Sequence, residues 1–379
     1  GVGPLTSIGV NKENFWQGLL EGRSGISDLE LTELPDGFKV TKAGQIKGFN
    51  PKDYGIDGKT VIRIDRVTQF AIAATGLALY DAGLITDDRL NLDRDDVAVR
   101  LGTGIGGIST IEKQIGVMRE RGCRKVSPFT IPRAIPNLIA GDVAISYGIA
   151  GAADVTTTAC ASSLSAICRG YDDIALGRAK VVITGGAEAA ITPLPLSGFY
   201  NMKALSREGV SRPFDLHRDG FVMGEGAGVL ILEEAHHAYE RGAQIYGTIE
   251  GFGESNDVNH VTEPGEQLEL AIDLAFNARY IGVYPTPENF HVNTHGTSTP
   301  KNDSNEAQII ERAIGKVPIL AIKSNIGHLI GASAAVEMIG SLLAMRYGTL
   351  PGIVNYETPD PKCPVNVSTE SRSYESKSS

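Results

Sequence analysis

Three residues of this chain pair reactive side chains with local sequence that would expose them: Cys160, His295 and His328. Cys160 lies where DVTTT, a β-branched run, gives way to ACASSLSAI, so its sulfur is expected at a helix N-terminus. Unpaired N–H groups there favour negative charge and lower a thiol pKa, which suits a nucleophile that forms a thioester. The neighbours Ala159, Ala161, Ser162 and Ser163 are small. A substrate carbonyl could approach, and backbone N–H groups could receive its developing oxyanion. Taken alone, a cysteine in such surroundings is more often an inert core residue, and Cys168, two helical turns on, fits that description.

His295 follows an apolar strand in FHVNTHGTSTP, and His328 follows another in ILAIKSNIGHLIGAS. Both fall at the carboxyl ends of strands, where sites in α/β sheets collect. Singly, each could equally be a hydrogen-bonded core histidine. Lys323 and Glu337, five residues before His328 and nine after it, could form an ion pair that orients it. Asp303 and Glu306 are expected to start and cap the helix after HGTSTP. His217, His236, His237, His260 and His291 read as structural or surface residues. Gly102, Gly104 and Gly107 match G-x-G-x-x-G between a strand and a helix, the order of a dinucleotide-binding turn. The helix runs into GCRKVSPFTIP, however, with no second strand ending in an acidic residue to hold a ribose. These glycines instead suggest backbone passing close to a buried channel.

The elements that position these residues alternate between strand and helix. Apolar spacing from Ile64 to Ala78 predicts one helix over residues 60–83. Strands are expected at DVAVRL, DVTTT, KVVITGG and GAGVLILEE, with helices at 109–121 and after Cys160. From Tyr246 the order repeats: YGTIEGFGE as strand, Gln267 to Ala278 as helix, FHVNTHG as strand, Asn305 to Ala313 as helix, PILAIKSN as strand, and ASAAVEMIGSLLAM as helix. Strands apolar throughout need cover on both faces, so a layered α/β architecture of two similar halves is predicted, residues 1–243 and 244–379. The tail, STESRSYESKSS, is expected to be weakly structured.

Composition narrows the function classes. At 379 residues and 42% hydrophobic content the chain can bury a large core. A net charge of -10 argues against nucleic-acid phosphates and anionic membrane surfaces as partners, so any basic site must be local. Four cysteines without paired C-x-x-C spacing suggest neither a disulfide framework nor zinc, and a reducing compartment fits. No apolar stretch reaches the roughly 18 residues of a spanning helix, and no secretory signal opens the sequence.

The combination TTTACASSLSA, GGAEAAITPLPLSGF, SRPFDLHRDGFVMGEGAG, HVNTHGTSTP and KSNIGHLIGA resembles the β-ketoacyl-acyl-carrier-protein synthases, especially the type II elongating enzymes of fatty acid synthesis. The likeness covers nearly the whole chain. It implies the thiolase fold, two related halves in a five-layer αβαβα sandwich, usually a homodimer in a bacterial cytoplasm or an organelle. It implies Cys160 as the acyl-carrying nucleophile, with His295 and His328 promoting decarboxylation of a malonyl unit. Lys323 and Glu337 would be the supporting pair around the second histidine. Thr297 and Thr299 would contact the pantetheine arm, Ile105 and Phe199 would line the acyl tunnel, and Arg63, Arg124, Lys125 and Lys203 would dock an acidic carrier protein. No cofactor or metal is implied, since the phosphopantetheine arrives on the carrier. The family's opening strand and closing glycine turn, usually GFGG, have no counterpart, so terminal strands are expected to be missing. A polyketide ketosynthase is the second reading. A noncatalytic chain-length partner is the third, and the intact Cys160 opposes it.

Overall fold

The computed structural model describes residues 1–31, 37–86, 89–258, 265–277 and 290–374. In chain order its first half contributes β1 (Val2–Leu5), α1 (Arg66–Asp81), β2 (Val97–Gly102), α2 (Ile108–Arg121), β3 (Ala153–Thr156), α3 (Ser162–Ala175), β4 (Val181–Glu188) and β5 (Gly226–Glu233). The second half contributes β6 (Val292–Asn293), α4 (Pro300–Ala313), β7 (Ile319–Leu320) and α5 (Ser333–Tyr347).

The first five strands form one mixed sheet in the order β1-β5-β4-β2-β3. β2 runs parallel to β3 and β4, whereas β5 is antiparallel to both β4 and β1. Every residue of β4 is buried, Thr184 and Glu188 included, because helices cover both faces. On one face, Phe70, Ala74 and Leu79 of α1 pack with Val99, Ile183 and Val229. On the other, Ile167 of α3 and Val336 and Ile339 of α5 pack with Leu230. β7 sets the remaining layers by alternation: Leu320 joins the α5 cluster, while Ile319 joins Ala307 of α4. Helix, sheet, helix, sheet and helix therefore succeed one another, the five layers expected.

Several local expectations are corrected. The helix over 60–83 is two, Gly58–Arg63 and α1, because Ile64 is extended and Asp65 caps α1. Asp65 also receives Ser109 Oγ at 2.7 Å and the Thr110 N–H at 3.0 Å, so the break ties α1 to the start of α2. Residues 246–254 are not a strand: no described backbone pairs with them, and side chains hold them instead. Phe252 packs on Tyr171 of α3 at 5.7 Å, and Glu254 accepts from Ser165 Oγ at 2.7 Å. FHVNTHG and PILAIKSN shrink to two-residue strands, and Lys323–Ile326 is a helical turn. α4 begins at Pro300 rather than Asn305, since proline fits the first helical position. The helix from Gln267 runs to Asn277, and its expected end at Ala278 lies outside the described residues. β1 supplies an opening strand where none was expected, and in the tail Arg372–Ser373 pairs with Thr349–Leu350.

Candidate active site

The sheet register pairs Gly102 with both Thr156 and Gly186, so β2 and β3 end level with one another while β4 runs on to Glu188. Cys160 lies four residues beyond Thr156, in the tight turn Ala159–Ala161 that leads into α3. Ala159 takes a left-handed φ of 50°, a strained conformation for a residue with a Cβ. The turn is held by Ser162, whose Oγ accepts the Thr158 N–H at 2.9 Å and donates to the Ala159 carbonyl at 2.6 Å. A Cβ on Gly102 would stand 2.3 Å from the Ser162 carbonyl carbon, so glycine lets the strand approach the helix start.

The second half repeats this device. Ile330 has φ of 47°, the turn Ile330–Ala332 leads into α5, and Ser333 Oγ accepts the Leu329 N–H at 2.9 Å. Gly331 occupies the position that Cys160 has in the first half. Ser162 was read only as a small neighbour of Cys160 and Ser333 not at all, although the repeated small-small-Ser of ACAS and IGAS was the signal of their shared role.

His328 is pinned by its backbone to residues 222–224: its N–H donates to Val222 at 2.7 Å and its carbonyl accepts from Gly224 at 2.9 Å. Its Nδ1 accepts the Ile330 N–H at 3.1 Å and lies 2.9 Å from Ser333 Oγ. A backbone N–H can donate but never accept, so the ring proton must sit on Nε2. That nitrogen is 3.1 Å from Cys160 Sγ. The His295 ring stands 5.3 Å from the His328 ring, nearly perpendicular, and the reactive atoms of Cys160, His295 and His328 all lie within 4.8 Å of one another.

The Lys323–Glu337 pair exists, but it serves His295 rather than His328. Lys323 Nζ donates to the His295 carbonyl at 2.6 Å, lies 3.4 Å from His295 Nδ1, and bonds the Glu337 carboxylate. Lys323 opens the helical turn Lys323–Ile326, and its hydrogen bonds go to His295 and Glu337. An ammonium can only donate, so His295 also carries its proton on Nε2. Burial, then the charge of Lys323, holds both imidazoles well below their ordinary pKa and therefore neutral.

The thiol departs from expectation. Burial pushes Cys160 up to about 11, with Lys323 opposing the rise and Glu188 and Glu337 adding to it. Desolvation outweighs the helix N-terminus, so the resting sulfur is a thiol, and the N–H groups around it act on the anion as it forms.

Asp303 and Glu306 do not cap α4; they hold the His295 loop. Glu306 accepts the N–H groups of His295 and Gly296, the latter at 2.9 Å, and Asp303 accepts those of Ser298 at 3.1 Å and Phe214 at 2.8 Å. Buried in α4, they meet a loop whose Gly296 and Ser298 both have positive φ and leave their N–H groups pointing inward. Thr297 and Thr299 share a hydroxyl contact at 2.8 Å on that loop. Ile105 and Phe199 join one apolar cluster with Ile330 and Phe221, and Phe221 meets the edges of both Phe199 and His328 at 5.2 Å. Phe221 was missed. Its signal was an aromatic within RDGFVMG.

Arg63, Arg124, Lys125 and Lys203 are all exposed, and Arg63 lies over the Phe129 ring at 5.7 Å. His291 is a core residue bonded to Ser341, His236 and His237 pair with glutamates, and His260 lies outside the described residues.

Known proteins are similar to this chain in sequence and fold. The description "Beta-ketoacyl synthase, N-terminal domain" fits residues 1–238, and "Beta-ketoacyl synthase, C-terminal domain" fits residues 246–357. The 3-oxoacyl-[acyl-carrier-protein] synthase 2 of Synechocystis sp. is 39% identical over 375 residues, 96% of this chain and 88% of that protein. Among solved structures, the ishigamide ketosynthase/chain length factor superposes with a TM-score of 0.92 at 30% identity, covering 99% of this chain and 92% of that one. A type II polyketide ketosynthase in complex with its acyl-carrier protein superposes with a TM-score of 0.87 at 29% identity, covering 99% of this chain and 92% of that one. The fold is thus the thiolase-like fold of ketosynthases, and this chain belongs to the β-ketoacyl synthase family.

Proposed function

We propose that the chain is an elongating 3-oxoacyl-[acyl-carrier-protein] synthase, an acyltransferase of the KAS II-like type. The observation that carries this reading is the contact of Cys160 Sγ with the Nε2–H of His328, beside a second neutral imidazole. Residues 1–243 supply the nucleophile and 244–379 both histidines.

Cys160 sulfur attacks an acyl thioester; the new carbon–sulfur bond forms as the pantetheine thiolate leaves and takes up the cysteine proton. Malonyl-carrier protein then binds, its arm passing Thr297 and Thr299. The bond to its carboxylate breaks, carbon dioxide departs, and the electron pair becomes an enolate. His295 and His328 hold the enolate oxygen with their Nε2–H groups, which are fixed in place and need no solvent rearrangement. The enolate carbon attacks the Cys160 thioester, a carbon–carbon bond forms, and the sulfur leaves with a proton returned from solvent. The product is a β-ketoacyl chain two carbons longer.

Both Nε2 protons sit where a metal would need lone pairs, and Lys323 adds positive charge, so this mechanism uses no metal. The exposed bases Arg63, Arg124, Lys125 and Lys203 suit an acidic carrier protein. Among the described residues β3 is an edge strand of its sheet, packed by the helices that carry the exposed apolar residues Ile145 and Leu164, which suits a homodimer. Four free thiols suit the cytoplasm.

Intact-mass measurement after incubation with acyl-carrier proteins of graded length tests the reading. An acyl adduct is expected on the wild type and none on Cys160→Ala; an adduct on the variant would exclude the nucleophile.

A further inference from the structure

The glycine turn after β2 has the spacing of a phosphate cradle, and the anion it holds is the protein's own. Glu188, the last residue of β4, is fully buried. Its Oε2 receives the N–H groups of Gly104 at 2.7 Å and Gly331 at 3.1 Å. Its Oε1 receives those of Ile105 at 3.2 Å and Gly106 at 3.3 Å, together with the Thr103 hydroxyl at 3.2 Å. Burial pulls this carboxyl upward, but its four backbone partners can only donate, and a protonated carboxyl would lose one of those bonds. The anion therefore fits the cradle.

The partners come from both halves of the molecule. Three belong to the turn that carries Ile105 into the apolar cluster. The fourth, Gly331, is the counterpart of Cys160 and directly follows Ile330, whose N–H sets the His328 tautomer. A Cβ on Gly331 would stand 2.2 Å from the Gly104 nitrogen, so the two loops touch without room for side chains. The helix start at Cys160 faces substrate, whereas the equivalent start at Gly331 is filled by Glu188.

We propose that Glu188 is a positioning residue that clamps the Ile105 turn to the His328 loop, fixing the apolar cluster at Ile105 and the Nε2–H over Cys160 as one unit. The inference rests on the condensing reading above. Glutamine at this position would turn an amide NH2 towards backbone N–H donors, opening the clamp without changing its size. Thr103→Val removes one Oε1 donor and the hydroxyl that accepts the Gly106 N–H at 3.2 Å, leaving the charge in place.

The test compares full-length wild type, Glu188→Gln and Thr103→Val for malonyl-carrier-protein decarboxylation and for alkylation of Cys160 by iodoacetamide across pH. The charged and titratable groups facing that sulfur are His295, His328, Lys323, Glu188 and Glu337. Glu188→Gln should lose roughly 10²-fold in kcat with KM little changed, the scale of a small misplacement of a reacting group. Its alkylation midpoint should move to lower pH, because one negative charge near the thiol is gone. Thr103→Val should lose kcat in the same direction, less steeply, with no movement of the midpoint. Wild-type kcat in either folded variant overturns the proposal, and Thr103→Val decides alone if the glutamine variant does not fold. An inactive wild type would refute the condensing reading itself, whereas an active wild type with unaffected variants refutes the clamp.

Discussion

Lys323 donates to the carbonyl of His295 at 2.6 Å while bonding Glu337, so one buried ion pair fixes both the backbone and the tautomer of a single histidine. Removing one partner strands the other charge away from water. Lys323→Ala should cost about 3–5 kcal/mol of stability, while Lys323→Met with Glu337→Leu should recover most of it. Denaturant unfolding measures both. A double variant as unstable as the single one would show that the charges do not stabilise as a pair.

Neutral imidazoles make a kinetic statement. Because burial and Lys323 hold the pKa of His295 and His328 well below the ordinary value, neither should titrate as pH falls from 8 to 6. Decarboxylation should stay level across that range in single-turnover assays, and a break with midpoint near the ordinary histidine value, about 6.5, would contradict the assignment.

His291 offers a cleaner view of linkage because it lies outside the reaction. Burial, reinforced by Arg372, lowers it to about 4. A lowered histidine contributes stability that is present above its unfolded value of about 6.5 and is lost as pH falls, because the unfolded chain then binds a proton that the folded chain refuses. Between pH 7 and pH 5 the wild type should lose roughly 2 kcal/mol more than His291→Leu. Parallel denaturation curves at the two pH values check this, and equal losses would refute it.

Chain length should follow the apolar cluster. Ile105 and Phe199 pack with Ile330 and Phe221 next to His328, so Ile105→Phe should shorten the longest acyl group loaded onto Cys160 and Phe199→Ala should lengthen it. Mass spectrometry of the acyl-enzyme with graded carriers reads the limit directly. Unchanged limits in both variants would place the chain elsewhere.

His295 and His328 were legible in the chain because each follows an apolar strand and precedes small residues that announce a turn, and Cys160 because a β-branched run gives way to small residues at a helix start. The five-layer plan was legible for the same reason, since alternation of such strands with amphipathic stretches admits few arrangements. Periodicity does not tell a strand from an extended segment held by side chains, so residues 246–254 were misread. Pairing is a property of two backbones.

The sequence by itself determined which residues could react and which half carried each. Tertiary structure decided what surrounds them. Whether Lys323 turns to His295 or His328, whether Glu306 caps a helix or holds a loop, and whether Cys160 rests as a thiol depend on distances of a few ångströms between segments far apart in the chain. Glu188 shows the limit most sharply: its four backbone donors come from residues 82 to 143 positions away, and no local pattern encodes them. Hydrogen bonds and desolvation act over contact distance, and contact is settled when the two halves close on one another.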